Sequence, residues 1–391
     1  VFDTAWTYKY MKEKNLTAIV TGRDLGGYFD HIWSIHGVAS IIEPKESKTR
    51  FGKPTAYAIN KRHTLTEGKI GRFKYLKWLP VFNFLFAQID ILIISIKLIK
   101  ENKINLIRAE DIHYNGILAF IISKITNIPF IVGVWGNPAQ QRSFNKKPMF
   151  PRLFKYIWIE ELVEVFILKN ALKVMIQNED NRKFILSKGI KKSKTEITRL
   201  GNLLNPIHFS DPIKRKGGIK ILKELGLVNQ NNILVISRLE EKKLSHHPLY
   251  AIKELLNKNI KVNIIYSGDG PFKLEMQNIA NKLKIHKQIF FCGNKDQEWI
   301  ANLLPEVSAY LAPLAGRALA EAALGAVPII AYDRDWHSEL VIPNKTGELV
   351  KNEDYKEMSL AIERILFNKE NAISMGKKIR LRALNLLDPE L

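Results

Sequence analysis

Short runs of consecutive apolar, mostly β-branched residues recur along the chain, and longer stretches separate them in which apolar positions return every three or four residues. In the first half the runs are LTAIVT (16–21), VASII (38–42), INLIRA (104–109), FIVGVW (130–135), KVMIQ (173–177) and EITRL (196–200). In the second half they are NILVIS (232–237), VNIIYS (262–267), QIFFC (288–292), AYLAP (309–313), PIIAY (328–332) and GELV (347–350). Most are continuously apolar rather than alternating, which predicts parallel strands covered on both faces. PLYAIKELLNK, KLEMQNIANKLK and EMSLAIERILFN carry helical spacing. Alternation of strand and helix predicts an α/β class of doubly wound, Rossmann-like sheets. The rhythm pauses at NPIHFSDPIKRKGGIK (205–220), rich in Pro, Gly and Lys. A junction there predicts one domain over 1–208 and a second over 209–391.

The length of 391 residues exceeds what one ordinary core uses and agrees with two domains. A single cysteine, Cys292, excludes an internal disulfide and points to a reducing, cytoplasmic setting. No signal peptide is visible at VFDTAWTYKYMKEKN. Lys and Arg number 60 against 39 Asp and Glu, a net charge of +21. That balance suits an anionic partner, whether nucleic acid, acidic membrane or phosphorylated substrate, although a lysine-rich solvated surface produces it equally. Nucleic acid is disfavoured, because no interleaved aromatic–basic motif or recognition module is present. The most apolar stretch, WLPVFNFLFAQIDILIISIKLIK (78–100), is interrupted by Asn83, Gln88, Asp90 and Lys97. It predicts a buried helix, or one lying in a membrane interface between Lys74, Lys77, Lys97 and Lys100, rather than a spanning helix.

Ligands of doubly wound sheets bind beyond the carboxyl ends of the strands, so the residues after each run carry the candidate chemistry. After NILVIS come Arg238 and, five positions on, Lys243 near the start of the next helix. Two cations beside free helix N–H groups suit a phosphate, although a solvated charged loop looks the same. After VNIIYS, Gly268 begins GDGP, a tight turn that lets backbone come close. After AYLAP, Gly316 turns the chain into a helix whose first N–H groups, near Gly316, Arg317 and Ala318, form a second anion site. Glu321 lies one turn inside that helix, among Ala and Leu. A carboxylate there suits a vicinal diol such as a ribose, held beside the diphosphate. Compensation of the helix dipole on a surface is the alternative. In the first half, His113 and Asp111 of AEDIHYNG follow a strand and are candidates for acceptor or sugar contact; a local loop hydrogen bond or turn serves each equally well. His246 and His247 lack further ligands at metal spacing.

The ordered set SRLEEKK, IIYSGDGP, IFFCGN, ANLLPEVSAYLAP, GRALAEAALGAVPIIAYD and NKTGELV resembles the C-terminal half of family-4 glycosyltransferases, over about 233–367. In the first half, NLIRAEDIHYNGILAFIISKITNIPFIVGVWG and RLGNLLNPIHF resemble the same family. The resemblance implies a GT-B fold, with two Rossmann-like domains facing a central cleft. It implies a retaining sugar transfer from a nucleoside-diphosphate sugar, a UDP-sugar being the expected donor, with neither metal nor covalent cofactor. Arg238 and Lys243 would then contact the donor diphosphate, Glu321 the ribose, and Gly136 with Asn137 would line the cleft opposite. The sequence departs from the family in three places. The first Glu of the family's pair is Pro313 here, and only Gly316 survives of the Gly-Phe-Gly that follows it. The usual His before Gly136 is Trp135. The family's first strand and glycine-rich loop are expected before Val1.

The function expected is a glycosyltransferase acting on a hydroxyl acceptor, a glycan or a lipid-linked glycan of the cell envelope. Its basic surface and residues 78–100 place it as a peripheral enzyme on the inner membrane face. A nucleotide-sugar epimerase of the same fold and a catalytically inactive sugar- or membrane-binding homologue are the alternatives.

Overall fold

The computed structural model describes residues 1–3, 6–13, 16–24, 27–198 and 204–388. Two compact units divide the chain, Val1–Thr198 and Arg199–Leu391. The first holds β1 (Phe2–Asp3), β2 (Ile32–His36), β3 (Thr55–Asn60), β4 (His63–Glu67), β5 (Ile107–Ala109), β6 (Phe130–Val134), β7 (Lys173–Ile176) and β8 (Thr195–Ile197). Their order is β3-β4-β2-β1-β5-β6-β7-β8, parallel throughout except that β3 runs against β4. The second unit holds β9 (Asn232–Ile236), β10 (Asn263–Ser267), β11 (Ile289–Phe291), β12 (Ala309–Ala312), β13 (Ile329–Tyr332) and β14 (Gly347–Val350), all parallel, in the order β11-β10-β9-β12-β13-β14.

The continuous apolar runs of the second unit are explained by its two cores. Leu234, Ile265, Tyr310 and Ile329 face one layer of helices. Ile233, Val235, Ile264, Tyr266, Leu311 and Ile330 face the other. With both faces dry, an alternating pattern has no polar side to show. In the first unit the steps β4 to β5, β5 to β6 and β6 to β7 all progress in one direction across the sheet. Right-handed crossovers therefore bring helices Pro80–Asn102, Tyr114–Thr126 and Ile157–Asn170 onto one face.

Several expectations are corrected in the first unit. Residues 16–21 contain a helix, Thr17–Thr21, not a strand. Its Val20 packs with Met11 and Leu65 in a small satellite core, and so short a run satisfies either period. Residues 38–42 contain a 3₁₀ turn, Ala39–Ile42, and the strand is the preceding β2. Ser34 and His36 interrupt the apolar pattern of β2 yet are fully buried. Arg23 donates to Ser34 Oγ, and His36 Nδ1 meets the Trp6 carbonyl at 2.9 Å, so tertiary partners make the polar strand tolerable. The β3–β4 hairpin was not foreseen either, because β3 is a largely exposed edge. β1 occupies the central position between β2 and β5.

The contact division falls between 198 and 199, earlier than the junction placed at 208/209. The reason is that the 3₁₀ turn Pro206–Phe209 is tied to the second unit. His208 Nε2 meets Gln297 Oε1 at 2.7 Å, and Arg380 donates to the Phe209 carbonyl at 2.9 Å. Of the run 196–200 only the β8 part is described; its end and residues 199–203 of RLGNLLNPIHF lie outside the described residues.

Candidate functional site

β9, β10 and β12 are neighbouring parallel strands, so the loops that follow them meet at one sheet edge. Gly268, just past β10, has φ +143°, and a Cβ there would stand 1.9 Å from the Ser237 carbonyl oxygen. Only glycine lets the two loops approach so closely. Gly270 is similarly placed, 2.3 Å from the Leu239 carbonyl for an added Cβ. Arg238, Lys243, Gly268, Gly316, Arg317, Ala318 and Glu321 all line one cavity of about 370 Å³. The seven candidates of the second unit therefore converge.

Helix Arg317–Leu324 starts at Gly316, and no side chain caps it. Gly316, Arg317 and Ala318 at its start line the cavity. Its residues from Leu319 to Leu324 are buried, which fixes where the N-terminus points. His337, fully buried, holds the approach to this helix: its Nδ1 lies 2.9 Å from the Tyr332 carbonyl, and its Nε2 lies 3.0 Å from the Ala315 carbonyl and 3.2 Å from the Ala315 nitrogen. Burial lowers its pKa, against the raising influence of the two backbone carbonyls. Pro313, at the position of the family's first Glu, is buried.

Arg238 is mostly exposed and pairs with Glu240 at 3.2 Å. Lys243 is half-buried, and burial, then Arg238 and Lys242, push its pKa down. An ammonium facing cations at the mouth of a cavity is relieved by an anion. Glu321 is 3% exposed. Burial raises its pKa, against the opposing influence of Arg317 at 3.6 Å and a hydrogen bond with Gln297. Glu321 thus sits dry at the cavity edge beside Arg317 rather than on a solvated helix face. Asn294, Lys295 and Gln297, from the loop after β11, also line the cavity and were not singled out from sequence. Gln297 joins His208 to Glu321, and that chain spans residues too distant in sequence to leave a local signal.

The candidates of the first unit are differently placed. Asp111 accepts from the N–H groups of His113 (2.8 Å) and Asn115 (3.2 Å) and from the Asn115 side chain. It thereby closes the start of helix Tyr114–Thr126, with its pKa raised by burial. His113 is buried, its Nε2 lying 2.9 Å from Glu164 Oε1 and its ring against Phe150. Both side chains are thus engaged in local structure. His113, Glu160 and Glu164 bring ligand atoms within 4.8 Å of one another, as a metal would need. The Arg142 guanidinium occupies that position instead, bonded to Glu160 at 3.0 Å and to both oxygens of Glu164. Burial alone would raise the Glu164 carboxyl, but hydrogen bonds from His113 and Arg142 and their charges bring it down to about 2.

Gly136 and Asn137 follow β6, where Asn137 caps helix Pro138–Asn145 and donates to Asp180 at 3.2 Å. Trp135 donates to Glu110 at 2.8 Å with Arg108 over its ring, an anchor the sequence did not reveal. His247 meets the Tyr332 hydroxyl at 2.8 Å, and among the described residues neither it nor His246 joins a metal-like cluster.

Residues 220–382 match the family described as Glycosyl transferases group 1. An alpha-monoglucosyldiacylglycerol synthase of Streptococcus pneumoniae is 22% identical over 267 residues, 66% of this chain and 58% of that protein. The chain spans about half to two thirds of the length of the curated relatives it matches. Among solved structures, sucrose-phosphate synthase of Thermosynechococcus elongatus superposes with a TM-score of 0.72 at 16% identity, over 96% of this chain and 90% of that one. HepE of Anabaena, in complex with UDP, does so with a TM-score of 0.64 at 18% identity, over 85% and 90%. These likenesses establish the GT-B fold.

Proposed function

We propose, from the match of residues 220–382 to the group 1 glycosyl transferases, that the protein moves a sugar from a nucleoside diphosphate to a hydroxyl acceptor, with a UDP-sugar as donor and with retention of configuration. One observation carries this reading. Glu321 is buried and its pKa raised at the edge of a cavity that also gathers Arg238, Lys243 and an uncapped helix N-terminus. In the proposed reaction the diphosphate leaves the anomeric carbon as the acceptor oxygen bonds to it. Charge that develops on the leaving oxygen is met by Lys243, Arg238 and the N–H groups after Gly316. The acceptor proton passes to that same oxygen, so no protein base is required. Glu321 accepts from the two ribose hydroxyls and orients the nucleotide. A UDP-bound structural relative and a relative named for a glucosylated diacylglycerol support a UDP-sugar donor and a lipid-linked acceptor at a membrane face.

Glu321→Ala tests this directly. Its affinity for UDP should fall by about 1.5–3 kcal/mol, the range for hydrogen bonds to a charged acceptor, while inorganic diphosphate binds as before. Stability separates a binding role from a structural one. A carboxyl whose folded pKa is raised contributes stability below its unfolded pKa and loses it as pH rises through the folded value. At pH 7, above the unfolded value, the buried Glu321 is therefore a cost, and Glu321→Gln should melt no earlier than the parent. Calorimetric titration and melting of both variants check it; normal UDP binding with early melting would make Glu321 a structural acid. The buried Pro313, where the family has a Glu, favours an inactive donor-binding homologue as the second reading. Turnover of UDP-sugar, with and without added acceptor alcohols, distinguishes transfer from that reading and from epimerisation.

A further inference from the structure

We propose that the protein rests on an anionic bilayer through two helices of its first unit, Pro80–Asn102 and Ile157–Asn170, both lying flat on the lipid and neither crossing it. The proposal builds on the membrane-face reading above but enlarges the surface and fixes its geometry. Helix Pro80–Asn102 is long and apolar enough to span, with a mean hydropathy of 1.9. Its inner side, however, is committed to the fold. Ile91 and Ile99 belong to the core. Asn83 Oδ1 accepts from the backbone N–H groups of Arg72 (2.6 Å) and Phe73 (2.8 Å), and Gln88 accepts from the Tyr114 hydroxyl. Drawing the helix across a bilayer would strand these polar groups in hydrocarbon.

The outer side of the same helix is a stripe of exposed apolar residues, Val81, Phe82, Leu85, Phe86, Ile89 and Ile93, at helical spacing. Helix Ile157–Asn170 carries a second stripe at four-residue spacing: Trp158, Leu162 and Phe166 are 60%, 62% and 48% exposed. Its opposite side, with Glu160, Glu164, Ile167 and Leu168, is buried. The two helices flank helix Tyr114–Thr126 on one face of the sheet. The Phe84 ring lies 6.4 Å from Tyr114, and the Phe120 ring 4.8 Å from Phe166. Apolar surface this extensive, on neighbouring elements, marks an interaction face.

Charge identifies the occupant. Lys74 and Lys77 precede the first helix, Lys97 and Lys100 lie in its last turns, and Lys155 and Lys169 bracket the second. Lysines around an apolar face bury their stems in the interface and set their ammonium groups at the level of lipid phosphates. A second copy of the chain would bring the same lysines and a further +21, which repels.

Lipid binding is measured on the full chain by co-sedimentation with vesicles, without donor or acceptor, so its outcome is separate from that of the transfer reading; UDP titration runs in parallel. The parent should bind phosphatidylglycerol–phosphatidylcholine vesicles at low salt and release them as salt rises, with pure phosphatidylcholine binding poorly. The set Trp158→Glu, Leu162→Glu, Phe166→Glu and, separately, the set Phe82→Glu, Phe86→Glu, Ile89→Glu should each lower binding at least tenfold while leaving UDP affinity unchanged. Lipid-attached bromine should also quench Trp158 in the parent, read against Trp158→Phe, which needs no destabilising variant. Parental vesicle binding by the Trp158 set, or absence of Trp158 quenching, overturns the two-helix face. Equal uptake by neutral and anionic vesicles overturns the choice of occupant. So does concentration-dependent self-association that the variants abolish in the absence of lipid binding.

Discussion

Replacing Arg142 with Met should destabilise the first unit by about 3–5 kcal/mol, the usual consequence of removing one partner from a buried ion pair. Arg142, Glu160 and Glu164 are all buried. Glu160 also accepts from the backbone N–H groups of Met149 (3.0 Å) and Phe150 (2.9 Å), so the pair fixes the chain entering helix Ile157–Asn170. Without the guanidinium, two buried carboxylates would be left with His113 and, at 3.5 Å from Glu164, Lys188. The effect carries a pH signature. The Glu164 carboxyl is depressed from 4.5 to about 2, so its contribution is fully present above the unfolded value and is lost as pH falls from 4.5 through about 2. Denaturant unfolding across that window should show the parent losing stability steeply and Arg142→Met changing less. Adding Glu160→Gln and Glu164→Leu to Arg142→Met should recover much of the loss, since the uncompensated charges go with it. A single variant as stable as the parent at pH 7 would remove this network as an organiser of the fold.

Donor binding should collapse next. Lys243→Ala is expected to weaken UDP binding by about 1.5–3 kcal/mol, and Arg238→Ala by an amount at the lower end of that range. The order follows from exposure. Arg238 is 69% exposed and already neutralised by Glu240, so solvent and its partner screen it. Lys243 is half-buried, its ammonium destabilised by burial and by neighbouring cations, so an arriving diphosphate relieves more unfavourable energy there. Unlike Glu321→Ala, both variants should lose inorganic diphosphate along with UDP. Titration of the two ligands into the three proteins gives a pattern that a general loss of folding cannot reproduce. Undiminished UDP affinity in both cationic variants would dissolve the diphosphate cradle.

The second unit was legible from sequence almost strand by strand, and so were β5 to β8 of the first, whereas the segment from Val1 to Glu67 was not; the reason lies in how each buries its residues. NILVIS, VNIIYS, AYLAP and PIIAY became β9, β10, β12 and β13 because strands covered on both faces must be apolar at every position. Arg238, Lys243, Gly268, Gly316 and Glu321 were legible for a related reason: parallel strands present their carboxyl ends together, so residues just past each run meet without any knowledge of long-range contacts. Tertiary structure alone decided the rest. β2 keeps Ser34 and His36 in a dry sheet because Arg23 and the Trp6 carbonyl reach them. Residues 16–21 became helical because Val20 had Met11 and Leu65 to pack against. His113 is paired with Glu164, Gln297 links His208 to Glu321, and His337 holds the turn that leads into the cavity. Sequence therefore determined which segments are buried and which loops share an edge, since those depend on local pattern and on the handedness of the chain. Which polar side chain finds which partner is settled by contacts between residues far apart in sequence, whose energies exist only once the sheets have formed.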